Sequence, residues 1–258
     1  MRRPDEFSGF FAEFYDILHA GLADVDAYVE FAKRYGSAVL ELGCGTGRIL
    51  VPLVRAGLEV TGVDRSMDML ALCRQKLAYE DEEVQSRARL VRADIRDLAL
   101  SKRFDLVLAP CNLMCCFVES GDAMKVLHAA RKHLKDSGVF ILDCSIPDIP
   151  FMVKVNGVPR TFDFCHPLTG TTIRDTFTAK YDFVNQIEVD DIRLEEWDGD
   201  VLLRREETTD TLAFYFPREM RTMLHAAGFR VFKEQGSLLE DVPIDERAGE
   251  MVFLCVPA

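Results

Sequence analysis

Three acidic residues and a run of glycines share a spacing that suits a nucleotide-like ligand. The segment Val39-Leu40-Glu41-Leu42-Gly43-Cys44-Gly45-Thr46-Gly47-Arg48 sets Gly43, Gly45 and Gly47 directly after a short apolar stretch. Glycines at such a mouth let the backbone approach a ligand closely, and a helix that follows aims its free N–H groups at whatever binds. Asp64 stands twenty-one residues after Gly43, at the end of the next apolar stretch, where a carboxylate can accept both hydroxyls of a ribose. Asp94 closes a third stretch in Val91-Arg92-Ala93-Asp94-Ile95, placed to accept a hydrogen bond from an adenine amino group. Glu41, just ahead of the loop, would repel a phosphate and attract an ammonium group. The loop reads G-x-G-x-G, with Arg48 where the third glycine of a dinucleotide fingerprint would fall, and no G-K-S or G-K-T is present. A pyrophosphate or phosphate-loop site therefore lacks its key residues.

Alternating strand and helix patterns must position these residues. Asp24 is expected to cap a helix that runs to about Tyr35 and ends at Gly36. Strands are expected over Ala38 to Leu42, Leu58 to Asp64, Arg89 to Ala93, Phe104 to Ala109 and Val139 to Asp143. Helices fall between them, through about Ala56, over Ser66 to Tyr79, and over Asp122 to Leu134 with Gly138 at the end. This pace predicts an α/β fold, Rossmann-like, with a mostly parallel sheet and helices on both faces. From Arg160 to Phe216 the period changes to two, as in half-exposed antiparallel strands, with a turn at Asp198-Gly199-Asp200. Ile187 and Val189 are out of phase with Ile192 and Leu194, which predicts a bulge near Asp190 and Asp191. The α/β pattern returns with a helix from Pro217 to Gly228 and strands over Phe229 to Glu234 and Met251 to Val256. The expected organisation is an N-terminal helical segment over 1–36, a ligand-binding core over 37–146, an inserted antiparallel β element over 147–216, and completion of the core over 217–258.

The chain has 258 residues, with 31 Lys and Arg against 43 Asp and Glu, a net charge of −12. That balance argues against a generic nucleic-acid binder, which needs clustered cations. Met1 to Phe11 has no apolar stretch fit for a signal peptide, and no run is long enough to span a membrane. The eight cysteines lack paired C-x-x-C spacing and a zinc pattern, so free thiols in a reducing cytoplasm and no metal are expected.

Taken together, the E-L-G-C-G-T-G loop, Val60-Thr61-Gly62-Val63-Asp64-Arg65-Ser66, Ala93-Asp94-Ile95 and Phe104-Asp105-Leu106-Val107 resemble the class I S-adenosylmethionine-dependent methyltransferases. The resemblance is strong over roughly residues 36 to 145 and weaker at the end of the chain. It implies a seven-stranded sheet with an antiparallel last strand and S-adenosyl-L-methionine as cofactor. It also implies that Glu41 and the Gly43, Cys44, Gly45 and Gly47 loop hold the methionine portion, that Asp64 with Arg65 holds the ribose, and that Ala93, Asp94 and Ile95 frame the adenine. Met67 would line the adenine pocket, and the stretch from Ala109 through Pro110 to Leu113 would face the sulfonium. The 1–36 segment would fold over the cofactor as a lid, with Tyr15 at the carboxylate end and His19 as a candidate base. On the acceptor side, Asn112 and Cys115 are the candidates. The N-P-P-Y tetrapeptide of family members acting on DNA adenine or glutamine amides is missing, as is the aspartate of the metal-dependent catechol type. The implied activity is methyl transfer by in-line displacement to a nitrogen or oxygen of a small molecule, by a monomer or homodimer. The alternatives are a non-catalytic binder of the same cofactor or a partner subunit, and an NAD-dependent dehydrogenase.

Overall fold

A computed structural model describes residues 8–119 and 121–258. The first seven residues of the expected lid, and of the Met1 to Phe11 stretch, lie outside the described part.

Strand β1 (Ala38–Leu42) is buried at every position, because both of its faces are covered and its edges are paired in parallel with β2 (Glu59–Asp64) and β4 (Phe104–Ala109). The sheet continues through β3 (Ala88–Arg92) on one side. On the other it runs through β5 (Leu134–Ser145), β11 (Glu250–Pro257) and β10 (Phe229–Gln235), giving seven strands in the order β10-β11-β5-β4-β1-β2-β3. Only β11 runs antiparallel to its neighbours. One face packs against α2 (Asp24–Tyr35), α3 (Leu50–Arg55) and α4 (Met67–Ala78) through Tyr28, Leu53, Val54 and Leu70. The other packs against α6 (Asp122–His133) and α8 (Pro217–Ala226) through Val126, Leu127, Met220 and Leu224. A short α5 (Glu82–Ser86) precedes β3.

Between β5 and α8 lie α7 (Ile149–Val155) and a four-stranded antiparallel sheet of β6 (Arg160–Cys165), β7 (Thr172–Asp182), β8 (Ile187–Asp198) and β9 (Val201–Ala213). Helix α1 (Gly9–Leu18) is wedged against this sheet: Phe10, Phe11 and Phe14 bury themselves on Ile173 and Leu194. Arg204 of β9 clasps Glu13 with two hydrogen bonds of 2.8 Å while its guanidinium lies over the rings of Phe10 and Phe14.

Three local expectations are corrected. The register of β7 on β8 runs unbroken from Thr172 opposite Trp197 to Asp182 opposite Ile187, so there is no bulge at Asp190; the shift falls between Glu196 and Trp197, against β9. The change of phase has another cause. Ile192 and Leu194 face α1, whereas Ile187 lies on the opposite face against Ala213 and Phe214, so the two halves of one regular strand are covered on opposite sides. Gly138 lies inside β5 rather than at a helix end, and a Cβ there would sit 2.9 Å from the Asp105 carbonyl oxygen. Asp24 is the first residue of α2 rather than its cap, and its carboxylate is taken by Arg48 at 2.6 and 2.7 Å.

Candidate active site

The cleft opens at the C-terminal ends of β1, β2, β3 and β4, where parallel strands leave their connecting loops. After β1, the chain turns through Gly43, Gly45 and Gly47 at φ +69°, +52° and +79°, a region costly for any residue with a Cβ. Each glycine has its own reason. A Cβ on Gly43 would lie 2.6 Å from Leu113 Cδ1, and one on Gly47 would lie 2.5 Å from Cys73 Sγ. A Cβ on Gly45 would meet only Met69 Cε at 3.7 Å, so its bareness leaves cleft space open.

The N–H groups of Gly43 and Cys44 donate to the Val63 carbonyl at 2.8 and 3.0 Å, tying the loop to the end of β2. Asp64 is then aimed by the backbone: Gly45 N–H donates to Oδ2 at 2.9 Å and Ser66 N–H to Oδ1 at 2.8 Å. At the end of β3, Arg96 grips Asp94 through its backbone N–H and its guanidinium at 2.5 to 3.0 Å, and reaches Asp122 at 2.5 Å. These bonds hold the Asp94 carboxyl below the usual carboxylate range, so it stays an acceptor. Glu41 lies behind the loop, 1% exposed, with no hydrogen-bond partner for Oε2 among the described residues. Burial pushes its pKa up to about 8, against the pull of Arg48.

Tyr15, Gly43, Gly45, Asp64, Arg65, Ala93, Asp94, Ile95 and Pro110 all line this one cleft. Cys44 and Gly47 stand behind it with Glu41 and shape the loop. Met67 does not reach it: as the first residue of α4 it is 56% exposed, whereas Met69, on the buried face of that helix, lines the cleft. The helical phase of Met69, Leu70, Cys73 and Leu77 carried that signal.

The acceptor-side candidates are placed differently from expectation. His19 lines a separate groove on the far side of α1, with Asp16, Leu22 and Arg48. Its ring stacks on Tyr15 and its Nδ1 lies 2.8 Å from the Tyr15 carbonyl oxygen; burial lowers its pKa, so the neutral ring donates there. Asn112 spends its side chain accepting the Ser145 N–H at 2.5 Å. Cys115, a free thiol in the 113–116 turn, packs against the core that holds Cys144. The wall opposite Asp64 is formed instead by Tyr15, Pro110, Cys111, Leu113, Cys116 and Phe117.

This wall rests on groups that motif spacing did not single out. Cys111 and Asn112 both have φ +59°, consecutive left-handed residues without glycine. The carboxylate of Asp143, on β5, accepts the Cys111 N–H at 3.0 Å, the Asn112 N–H at 3.2 Å and the Tyr28 hydroxyl. Burial pushes its pKa up to about 6. Arg48, paired with Asp24, donates to Cys111 Sγ at 2.7 Å. An acid ending the apolar run Val139 to Leu142 was the available signal for Asp143.

One cleft thus brings together the backbone-aimed Asp64 carboxylate and the Asp94 carboxylate, with Glu41 buried behind its glycine loop. Among the described residues, no helix is long and apolar enough to cross a membrane.

Comparison with known proteins bears on the same residues. Residues 39–138 match the model of a methyltransferase domain. The cypemycin N-terminal methyltransferase of a Streptomyces species is 28% identical over 258 residues, covering 98% of each chain. The dTDP-3-amino-3,6-dideoxy-alpha-D-glucopyranose N,N-dimethyltransferase of Streptomyces fradiae is 27% identical over 146 residues, 54% of each chain. Among solved structures, S-adenosylmethionine-bound CalS10, an amino pentose methyltransferase from Micromonospora echinaspora involved in calicheamicin biosynthesis, superposes with a TM-score of 0.72 at 19% identity, covering 97% of this chain and 98% of that one. The glycine loop, the acids at the ends of β1, β2 and β3 and the sheet order fall within one pattern, and residues 39–138 form a methyltransferase domain of the class I S-adenosylmethionine-dependent type.

Proposed function

We propose that this enzyme methylates an amine nitrogen of a small-molecule acceptor. In this reading Asp64 accepts the ribose hydroxyls, Asp94 and Ile95 frame the adenine, and Glu41 with the Gly43–Gly47 loop faces the methionine ammonium. Tyr15 closes the cleft from the lid, and the inserted sheet covers the acceptor. S-adenosylmethionine, when bound, supplies an electrophilic methyl group on a sulfonium. The residues around it align the attacking atom and exclude water, and such alignment contributes up to roughly 7–11 kcal/mol.

The observation that carries the choice of nitrogen is the chemistry of the acceptor wall. Burial raises the pKa of Tyr15 and Cys111 and pushes Cys116 up to about 12, so these groups stay protonated and none is a base for an alcohol. The adjoining sheet instead presents carboxylates. Asp190 and Asp210 face each other across β8 and β9, and β9 packs on the 113–116 turn with Asp210 near enough to Cys116 to disfavour its thiolate. Burial and then Glu188 and Asp210 push Asp190 up to about 7. Acids of this kind attract a cationic amine and take its proton near neutrality, after which the lone pair attacks unaided. The cypemycin and amino-sugar relatives are N-methylating by name, which supports the same atom.

The test is release of S-adenosylhomocysteine across a panel of amines, including amino sugars and peptide N-termini, beside alcohols and phenols of the same skeletons. Turnover confined to amines is expected. Turnover of the hydroxyl compounds with none of the amines overturns the reading.

A further inference from the structure

The turn after β4 is held in a conformation that its own residues disfavour. A left-handed conformation costs a residue with a Cβ roughly 1–2 kcal/mol, and only asparagine among the non-glycines offsets much of it. Cys111 has no such excuse at φ +59°, and Asn112 follows at φ +59°. Sparsely populated backbone of this kind persists only where its surroundings over-determine it. Here the surroundings are specific. Asp143, half-buried behind the turn, takes both N–H groups, one on each oxygen: Cys111 on Oδ1 and Asn112 on Oδ2. Tyr28, 1% exposed on α2, donates its hydroxyl to the same Oδ1 and accepts the Cys111 N–H at 3.3 Å.

This geometry has a consequence for the cleft. Pro110, Cys111 and Leu113 line the wall opposite Asp64, and Leu113 touches the space above Gly43. Were the turn to relax toward an ordinary conformation, Cys111 would leave Arg48, and Leu113 would shift over the glycine loop. The wall's position relative to the cofactor loop therefore depends on a carboxylate that is not among the residues lining the cleft.

We infer that Asp143, braced by Tyr28, is a positioning residue for methyl transfer, clamping the left-handed Cys111–Asn112 turn so that the acceptor wall stands in register with the cofactor loop. Tyr28 extends the clamp to α2, so the clamp joins three elements far apart in sequence. The inference rests on methyl transfer at this cleft and not on which acceptor atom is methylated.

A double-mutant cycle tests it, with the best acceptor from the panel above, after wild-type turnover is established; absence of that turnover would count against the amine reading and not against the clamp. In Asp143→Asn the amide can accept from one N–H but sets its own donor against the other. We expect kcat to fall at least tenfold while cofactor Kd changes less than threefold. In the Cys111→Gly background, where residue 111 adopts positive φ without strain, the same Asp143→Asn change should cost less than a fifth of that factor. A third readout needs no acceptor: alkylation of Cys111 by iodoacetamide, mapped by mass spectrometry, should quicken at least threefold in Asp143→Asn. Unchanged kcat overturns the inference, as does an equal loss in both backgrounds or a loss of cofactor affinity as large as the loss of kcat. If Asp143→Asn does not fold, Tyr28→Phe takes its place, with about a threefold fall in kcat expected; wild-type kcat in that variant overturns the clamp.

Discussion

The two walls of the cleft are built by different means. The cofactor wall is local: Gly43 to Gly47, Asp64 and Asp94 each sit at the end of a parallel strand, and their hydrogen bonds run to the neighbouring strand or to residues two along. The acceptor wall is assembled from a distance. Its turn is held by Asp143, 32 residues from Cys111, and by Tyr28, 115 residues from Asp143. In the proposed reading its roof is α1, which packs on the sheet inserted after β5. A wall made of strand ends changes only if the sheet changes, whereas one made of long-range contacts can be re-tailored to a new acceptor while the cofactor site stays fixed.

The strongest way to break this contrast is at Glu41, where the local wall holds a group the fold leaves unsatisfied. Its pKa rises from 4.5 to about 8 on folding through burial. Below 4.5 the folded and unfolded chains both carry the proton; between 4.5 and about 8 only the folded chain keeps it, so stability falls as pH rises through that window and levels off above it. Denaturant titrations across this range should show a slope from this residue approaching about 1.4 kcal/mol per pH unit. Glu41→Gln mimics the protonated acid and should flatten the profile by that amount. Equal slopes in the two proteins would mean that Glu41 titrates alike in the folded and unfolded chains and that burial does not hold it neutral.

A smaller effect is expected at Asp64. Asp64→Ala removes two aimed acceptors without touching the core, and cofactor affinity should weaken by roughly 1–3 kcal/mol by calorimetry. Unimpaired binding would remove the ribose assignment and with it the view that strand ends alone define the cofactor wall.

How far the sequence reveals each wall follows the same division. Glycine spacing and apolar runs of five or six residues mark the loop, β1, β2, β4 and the carboxyl-end acids, because period and turn chemistry act over a few residues. The seven strands and the antiparallel last one were legible only through family resemblance, since nothing in a lone apolar run states its direction, and the order of the sheet was not legible at all. Asn112 and Cys115 look like acceptor groups by position, yet one is consumed by Ser145 and the other by the core, facts set by β5 and invisible in residues 110–116 themselves. The phase change in β8 misleads for a like reason: which face of a strand is apolar depends on what covers it, and α1 covers only one half.

The smallest effect lies where lid and inserted sheet meet, and it separates two ways of holding a roof. Glu13 and Arg204 form a paired ion contact, but both side chains are nearly half exposed, at 47% and 43%. Pairs of that exposure contribute about 0.2–1 kcal/mol and are screened by salt. Arg204 does more, because its guanidinium covers Phe10 and Phe14 and also binds Glu196 at 2.7 Å. Glu13→Ala should therefore lower stability in urea by less than about 1 kcal/mol, and less still in high salt. Arg204→Ala should cost measurably more and should speed proteolytic cleavage after α1. Equal losses in the two variants would place the grip in the ion pair, making the roof over the acceptor an electrostatic latch; the unequal losses expected here place it in the three phenylalanines pressed on Ile173 and Leu194.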